Sequence, residues 1–202
     1  LRNSIFYTII IFVLVSCNLK NEKQDEIPLI NEVTIPFIKK NRNNTGFKLK
    51  NGILFFNEKP YSGTVDEYYS KGKLKSIATY YQGKKNGFFN GWYMDGSKWF
   101  KRFYTNGLKS GVHEGWFDNG KPMFEYHFNT KGLYNGKVTE WYKNGNLLKE
   151  FHFKEGKEEG SQKMWQLNGK IKANFVTKKG ERFGLIGLKK CYTVHTKNEE
   201  FK

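Results

Sequence analysis

Residues 87–110 read GFFNGWYMDGSKWFKRFYTNGLKS and residues 111–135 read GVHEGWFDNGKPMFEYHFNTKGLYN, one pattern stated twice. Each stretch opens on a glycine, Gly87 or Gly111, meets a tryptophan five residues on, Trp92 or Trp116, and then reaches Asp95-Gly96 or Asn119-Gly120. Asp-Gly or Asn-Gly between two runs of β-formers is a strong hairpin signal, because both residues tolerate positive φ. Each stretch is therefore expected to be one hairpin, with strands at about 88–94 and 97–104 in the first of them.

Outward from this pair the pattern continues. The opening glycines form the series Gly63, Gly87, Gly111, Gly136, Gly160 and Gly184, spaced by 24 residues except for one step of 25. A second series, Gly72, Gly96, Gly120, Gly145 and Gly169, marks the turns, and a third, Gly83, Gly107, Gly132, Gly156 and Gly180, opens Lys-rich connections to the next hairpin. The extra residue of the long unit falls in the Asn129-Thr130-Lys131 loop, since loops absorb insertions that strands do not. A 24-residue period of hairpins predicts an all-β fold: an elongated antiparallel meander of stacked β-hairpin repeats in a single twisted open sheet. Successive hairpins would repeat every ~10 Å, giving a sheet on the order of 50 Å long. GILFFNEKPYS, from Gly52, reads as a partial leading hairpin, and the apolar pieces 27–30 and 33–38 as strands added at the edge.

Alternation along a strand assigns faces. Tyr68, Trp92, Trp116, Trp141 and Trp165 recur at one position of the outgoing strand and form an aromatic ladder, the candidate binding stripe. Tyr69, Tyr93, Phe117 and Tyr142 follow them, with Gln166 breaking the series. On the return strand one face collects Leu74, Tyr80, Phe100, Tyr104, Phe124, Tyr126, Phe128, Phe151, Phe153, Ile171 and Phe175, and the other is mixed, with Lys75, Lys101, Glu125, Glu150 and Lys172. A hairpin cannot stand alone, so each unit buries its rings against its neighbours. The loss of rings at Gln166 and Thr177 reads as a polar cap on the last unit.

The 202 residues carry 35 Lys+Arg against 19 Asp+Glu, a net charge of +16 that suits either a soluble basic surface or an anionic partner. Arg2, the apolar run from Ile5 to Val15 and small Ser16 beside Cys17 have the layout of a secretory signal and are too short to span a bilayer, which takes roughly 20 residues. Leu14-Val15-Ser16-Cys17 resembles the lipobox of bacterial lipoproteins, which implies cleavage before Cys17 and a lipid on its sulfur. The expected organisation is a signal peptide over 1–16, a tether over 17–46, the repeat array over 47–188 and a tail over 189–202. With Cys17 acylated, Cys191 has no partner for an intramolecular disulfide.

The chemistry of an enzyme is not legible. His-Glu-x-x-His, P-loop and Cys-x-x-Cys patterns are missing, and the carboxylates are scattered. His127 and His152 fall at equivalent positions of successive units, ~10 Å apart, too far to share a zinc ion. No catalytic residue, metal ligand or cofactor is expected.

The unit G-x-x-x-x-[YW]-[YF]-x-[ND]-G-K with its return Y-x-x-G-x-x-x-G, clearest over 87–111 and 136–160, resembles the MORN-repeat group, in the variant class labelled the YwqK family of antitoxin-like repeat proteins. The resemblance covers 52 to about 184 and implies stacked hairpins serving as a scaffold or binding surface, with protein assembly and lipid binding both proposed for such repeats. The resulting expectation is a non-enzymatic lipoprotein of the bacterial envelope, anchored through Cys17 in the outer membrane, that binds an envelope protein, an anionic glycan or lipid headgroups. Export disfavours nucleic acid as a partner. The alternatives are an antitoxin that neutralises a partner toxin and a repeat protein that binds membrane surfaces through its basic loops.

Overall fold

The turn at Asp95-Gly96 is a three-residue loop. Tyr93 N–H donates to the Ser97 carbonyl and Gly96 N–H to the Tyr93 carbonyl, and only Gly96 takes a positive φ. This is a type I turn closed by a left-handed glycine. Asp95 contributes through its carboxylate, which accepts the Ser97 N–H, as Asn119, Asn144 and Asn168 accept from Lys121, Asn146 and Lys170. The Asx-Gly pairs thus mark the right turns for a different reason than shared tolerance of positive φ.

The two-residue turns lie at the other end of the strands. Gln82-Gly83, Asn106-Gly107, Glu155-Gly156 and Lys179-Gly180 all have positive φ at both positions, the type I′ geometry that matches strand twist. The Lys-rich segments read as long connections are therefore tight hairpins too, and the meander runs without a break. The exception is the 25-residue unit, where one added residue converts the two-residue turn into a second three-residue loop, Asn129 N–H donating to the Leu133 carbonyl.

A computed structural model describes residues 34–187, and Cys17, the segment 27–30 and Cys191 lie outside them. The strands are β1 (Lys39–Asn41), β2 (Phe47–Lys50), β3 (Ile53–Phe56), β4 (Lys59–Pro60), β5 (Gly63–Tyr68), β6 (Leu74–Tyr81), β7 (Lys84–Trp92) and β8 (Lys98–Thr105). There follow β9 (Leu108–Trp116), β10 (Pro122–Phe128), β11 (Tyr134–Trp141), β12 (Leu147–Lys154), β13 (Lys157–Trp165), β14 (Ile171–Lys178) and β15 (Glu181–Leu185). From β5 to β15 they form one open antiparallel sheet in sequence order, with β1 added in parallel beside β5. The described chain is all-β, an open sheet of consecutive hairpins, as the period predicts.

The edge strand β1 falls inside the stretch read as a tether, just after 33–38. The leading piece from Gly52 does not join the main sheet. With Phe47–Lys50 it makes a separate three-stranded sheet, β2-β3-β4. Its strands are two to four residues long. They bury Phe47 and Leu54 with Tyr61 and Val65, flanked by Phe56 and Tyr80. The Gly83 turn comes so close that a Cβ there would meet Ile53 at 2.3 Å.

Neighbouring units are clipped together at their tight turns. Asn106 N–H donates to Asn86 Oδ1 and Gly107 N–H to the Lys85 carbonyl. Ser62 with Tyr61, and Asn135 with Tyr134, hold the Gln82 and Glu155 turns in the same way. At the opposite end Tyr69, Tyr93 and Tyr142 donate their hydroxyls to the carbonyls of Trp92, Trp116 and Trp165 in the next unit, at 2.9, 2.8 and 3.0 Å.

The opening glycines sit at bulges. Opposite Thr79, Arg102, His127 and His152 the register slips by two residues, and Gly87, Gly111, Gly136 and Gly160 take positive φ there. A second, one-residue slip follows the loops that hold Gly72, Gly96, Gly120, Gly145 and Gly169, between Gly91 and Trp92 for example. An odd slip moves the following side chains to the other face.

Candidate functional site

One face of the sheet holds the rings. Val65, Phe89, His113, Val138 and Gln162 stand two residues after the opening glycines and form one column on it, all buried except Phe89, which is half-buried. The rings pack laterally: Phe89 with Phe100 at 4.7 Å, His113 with Phe128 at 4.7 Å, and Phe128 with Tyr134 at 4.7 Å between centroids. Phe100 and Phe124 lie over Gly91 and Gly115, where a Cβ would come within 2.3 and 2.2 Å of them. The polar members of the column repair bulges. Gln162, with none of its surface exposed, accepts the His152 N–H through Oε1 and donates to the His152 carbonyl through Nε2. His113 donates from Nε2 to the Phe103 carbonyl, and burial holds its imidazole below the usual histidine pKa.

Cations cover these rings. Among the described residues ten Lys or Arg groups make twelve contacts with aromatic rings, most of them on this face, where about one such contact per 70–80 residues is usual. Lys85 sits 4.9 Å from Phe89 and 5.4 Å from Tyr104, Arg102 4.5 Å from Phe100, and Lys109 5.1 Å from Phe128. None of the three is within ion-pair distance of a carboxylate among the described residues. Lys85 is half-buried, and burial followed by the Arg102 charge holds its pKa below the usual lysine value. A cavity of about 310 Å³ lies between this part of the face and β2-β3, lined by Arg42, Lys84, Lys85, Tyr80, Tyr104 and Glu67. Further along, the same face is balanced: Lys149 pairs with Glu140 at 2.7 Å and Arg182 with Glu158 at 2.9 Å. Its positive excess is therefore concentrated over the first three hairpins.

The opposite face carries the expected ladder. Tyr68, Trp92, Trp116, Trp141 and Trp165 end the alternate strands β5, β7, β9, β11 and β13, all half-buried. They do not stack on one another. Their strands are two apart, ~10 Å, and the return strand intervenes, with Lys98 opposite Trp92 in register and 5.6 Å from the Trp116 ring. The one-residue slips also correct the face assignment. Leu74 and Ile171 pair with Tyr68 and Trp165 on this face, away from the rings. Lys75 turns instead toward the ring face, bonding Glu67 at 2.8 Å with its ammonium 5.9 Å from the Tyr69 ring. Two residues before each ladder ring stands a polar side chain: Asp66, Asn90, Glu114, Thr139 or Lys163. Between Trp92 and Trp116 lies a cavity of about 330 Å³ lined also by Asn90, Lys98, Lys101 and Glu114.

Two of these hairpins match a known repeat. The family model for the MORN repeat variant matches residues 61–80 and 134–155. The matched stretches span β5 to β6 and β11 to β12, one outgoing strand, three-residue loop and return strand each. A match to these repeats points to a repeat-based binding or membrane-associated role. No curated protein matches the chain.

The turn glycines Gly72, Gly96, Gly120, Gly145 and Gly169 all have positive φ at the three-residue loops. His127 bonds Glu125 at 2.9 Å, and His152 Nδ1 lies 2.8 Å from the Ser161 carbonyl. Among the described residues no cluster of three or more His, Cys, Asp or Glu is placed to hold a metal ion. The last unit is a polar cap only in part. Thr177 is buried beside Glu158, but β15 is exposed throughout, with Phe183 and Leu185 open to solvent. Sequence reasoning missed Asn90, Thr139, His113, Gln162 and the struts of Tyr69, Tyr93 and Tyr142. Each was visible as a column at constant offset from the opening glycine; what it touches was not.

Proposed function

We propose that this chain is a non-enzymatic binding protein whose repeat sheet presents a surface to an acidic polymer or an acidic protein, held at the bacterial envelope by a lipid on Cys17. The observation that carries it is the row of Lys85, Arg102 and Lys109 over rings, without carboxylate partners among the described residues. Charges of one sign on a ring-paved surface favour counter-charged ligands, and repetition along the sheet multiplies weak contacts. The MORN-variant match supports the same class of role.

The test is binding of heparin and of polyglutamate to the protein in low and high salt. Affinity for at least one should fall steeply as salt rises, and Lys85→Ala with Arg102→Ala should weaken it at least tenfold. Absence of binding, or binding indifferent to both substitutions, refutes the ring-face assignment. Membrane partitioning in a bacterial host, abolished by Cys17→Ser, tests the anchor separately. A chain that stays soluble and unprocessed would return attention to an intracellular partner, as the antitoxin alternative requires.

A further inference from the structure

Among the described residues, two buried side-chain oxygens have no hydrogen-bond partner: Asn90 Oδ1 and Thr139 Oγ1. They occupy the same repeat position, two residues before Trp92 and Trp141, on the ladder face. Buried polar atoms in folded proteins are nearly always partnered, so an orphan calls for an explanation. Two orphans at one repeat position, beside half-buried tryptophans, point to a ligand supplied by the outside.

The chemistry of that ligand can be narrowed. Asn90 Oδ1 is an acceptor and needs a donor. Sulfate, carboxylate and phosphodiester groups have no proton to give at neutral pH and would meet the oxygen as like poles. A hydroxyl satisfies it. Trp92 and Trp116 are among the residues that line the cavity, and an indole offers flat apolar surface to a ligand with a flat apolar face. Lys101 and Glu114, 3.9 Å apart and partly exposed, place a donor and an acceptor at its rim, and Lys98 adds a second donor. A pyranose ring combines these demands: an apolar C–H face, and a rim of hydroxyls that both donate and accept. At about 330 Å³ the cavity is of the size of small-ligand sites. Its walls recur every two strands, ~10 Å, comparable with the length of one disaccharide.

We infer that the ladder face is a row of sugar-ring subsites for a neutral pyranose oligosaccharide, with Asn90 between Trp92 and Trp116 as the most complete and Thr139 beside Trp141 as the next. This is a second surface, opposite the basic ring face, and it stands or falls independently of the acidic-polymer reading.

Isothermal titration of the full chain with cellohexaose and with chitohexaose, followed in parallel by tryptophan fluorescence, tests it. At least one hexamer should bind with a fluorescence change, at least tenfold more tightly than its own dimer, because it spans successive subsites. Binding should be insensitive to salt and to Lys85→Ala. Trp92→Ala should abolish it. Asn90→Leu separates ligand contact from folding: it removes an acceptor that has no partner in the free protein, so the melting temperature should hold or rise while affinity drops at least tenfold. The inference is overturned if neither hexamer binds at millimolar concentration, if dimer and hexamer bind alike, or if Asn90→Leu leaves affinity intact. Loss of heparin binding in the Lys85 variant with sugar binding kept is the result both readings expect, whereas loss of sugar binding in that variant overturns the ladder-face inference alone.

Discussion

Phe117 is the gap in a regular series, and filling it should stabilise the sheet. Tyr69, Tyr93 and Tyr142 each reach from one hairpin to the backbone carbonyl of the next unit's tryptophan, at 2.9, 2.8 and 3.0 Å. Phe117 holds the equivalent position before Trp141 but has no hydroxyl. Phe117→Tyr supplies the donor on a ring of the same shape. A neutral hydrogen bond contributes about 0.5–1.5 kcal/mol net. The stability of a repeat array is close to a sum of unit and nearest-neighbour terms, so the gain should appear nearly in full. For a chain of this size about 1 kcal/mol corresponds to roughly 2–4 °C in melting temperature. The converse, Tyr93→Phe, should cost about the same or more, because it leaves the Trp116 carbonyl without that donor. Thermal and urea unfolding of the two single variants and their combination provide the assay, with the combination close to the wild type. If Phe117→Tyr is neutral while Tyr93→Phe is neutral too, the struts contribute nothing and the account of how units are joined is wrong.

Other outcomes follow from the ring face. Burial holds the His113 pKa below its unfolded value, so the unfolded chain binds more protons between the two values. This contribution to stability is present above about pH 6.5 and is lost as pH falls toward the folded pKa; His113→Gln should flatten the urea midpoint across pH 5–7. Gly115→Ala puts a methyl group within 2.2 Å of the Phe124 ring, and should cost about 1–3 kcal/mol as an overpacking change, while Gly120→Ala in the adjacent turn meets no atom within 4 Å and loses only through its positive φ. Gln162→Leu leaves the His152 N–H and carbonyl without their side-chain partners and should destabilise by about 2 kcal/mol or more in urea unfolding.

Much of this architecture is local and hence readable. Glycines at fixed spacing state where the chain must take positive φ, and the 24-residue period states that the same hairpin recurs. The single step of 25 even locates the insertion, and the loop at Asn129–Gly132 takes it up by changing turn type. The candidate stripe was legible as a column of rings at one offset. Its chemistry was not, because it depends on Lys98 arriving from the return strand and on Asn90 being closed in between neighbours.

The sequence by itself determined the all-β class, the period, the positions of the turns and the tryptophan column, because each is set within a few residues by backbone sterics and by alternation. Only the tertiary structure decided which face Leu74, Lys75 and Ile171 take, since a one-residue bulge is a property of two paired strands and reverses alternation in the one that carries it. It likewise decided that Phe47, Leu54 and Tyr61 close a small sheet of their own, because the Val65 surface they bury against exists only once β5 and β6 have paired.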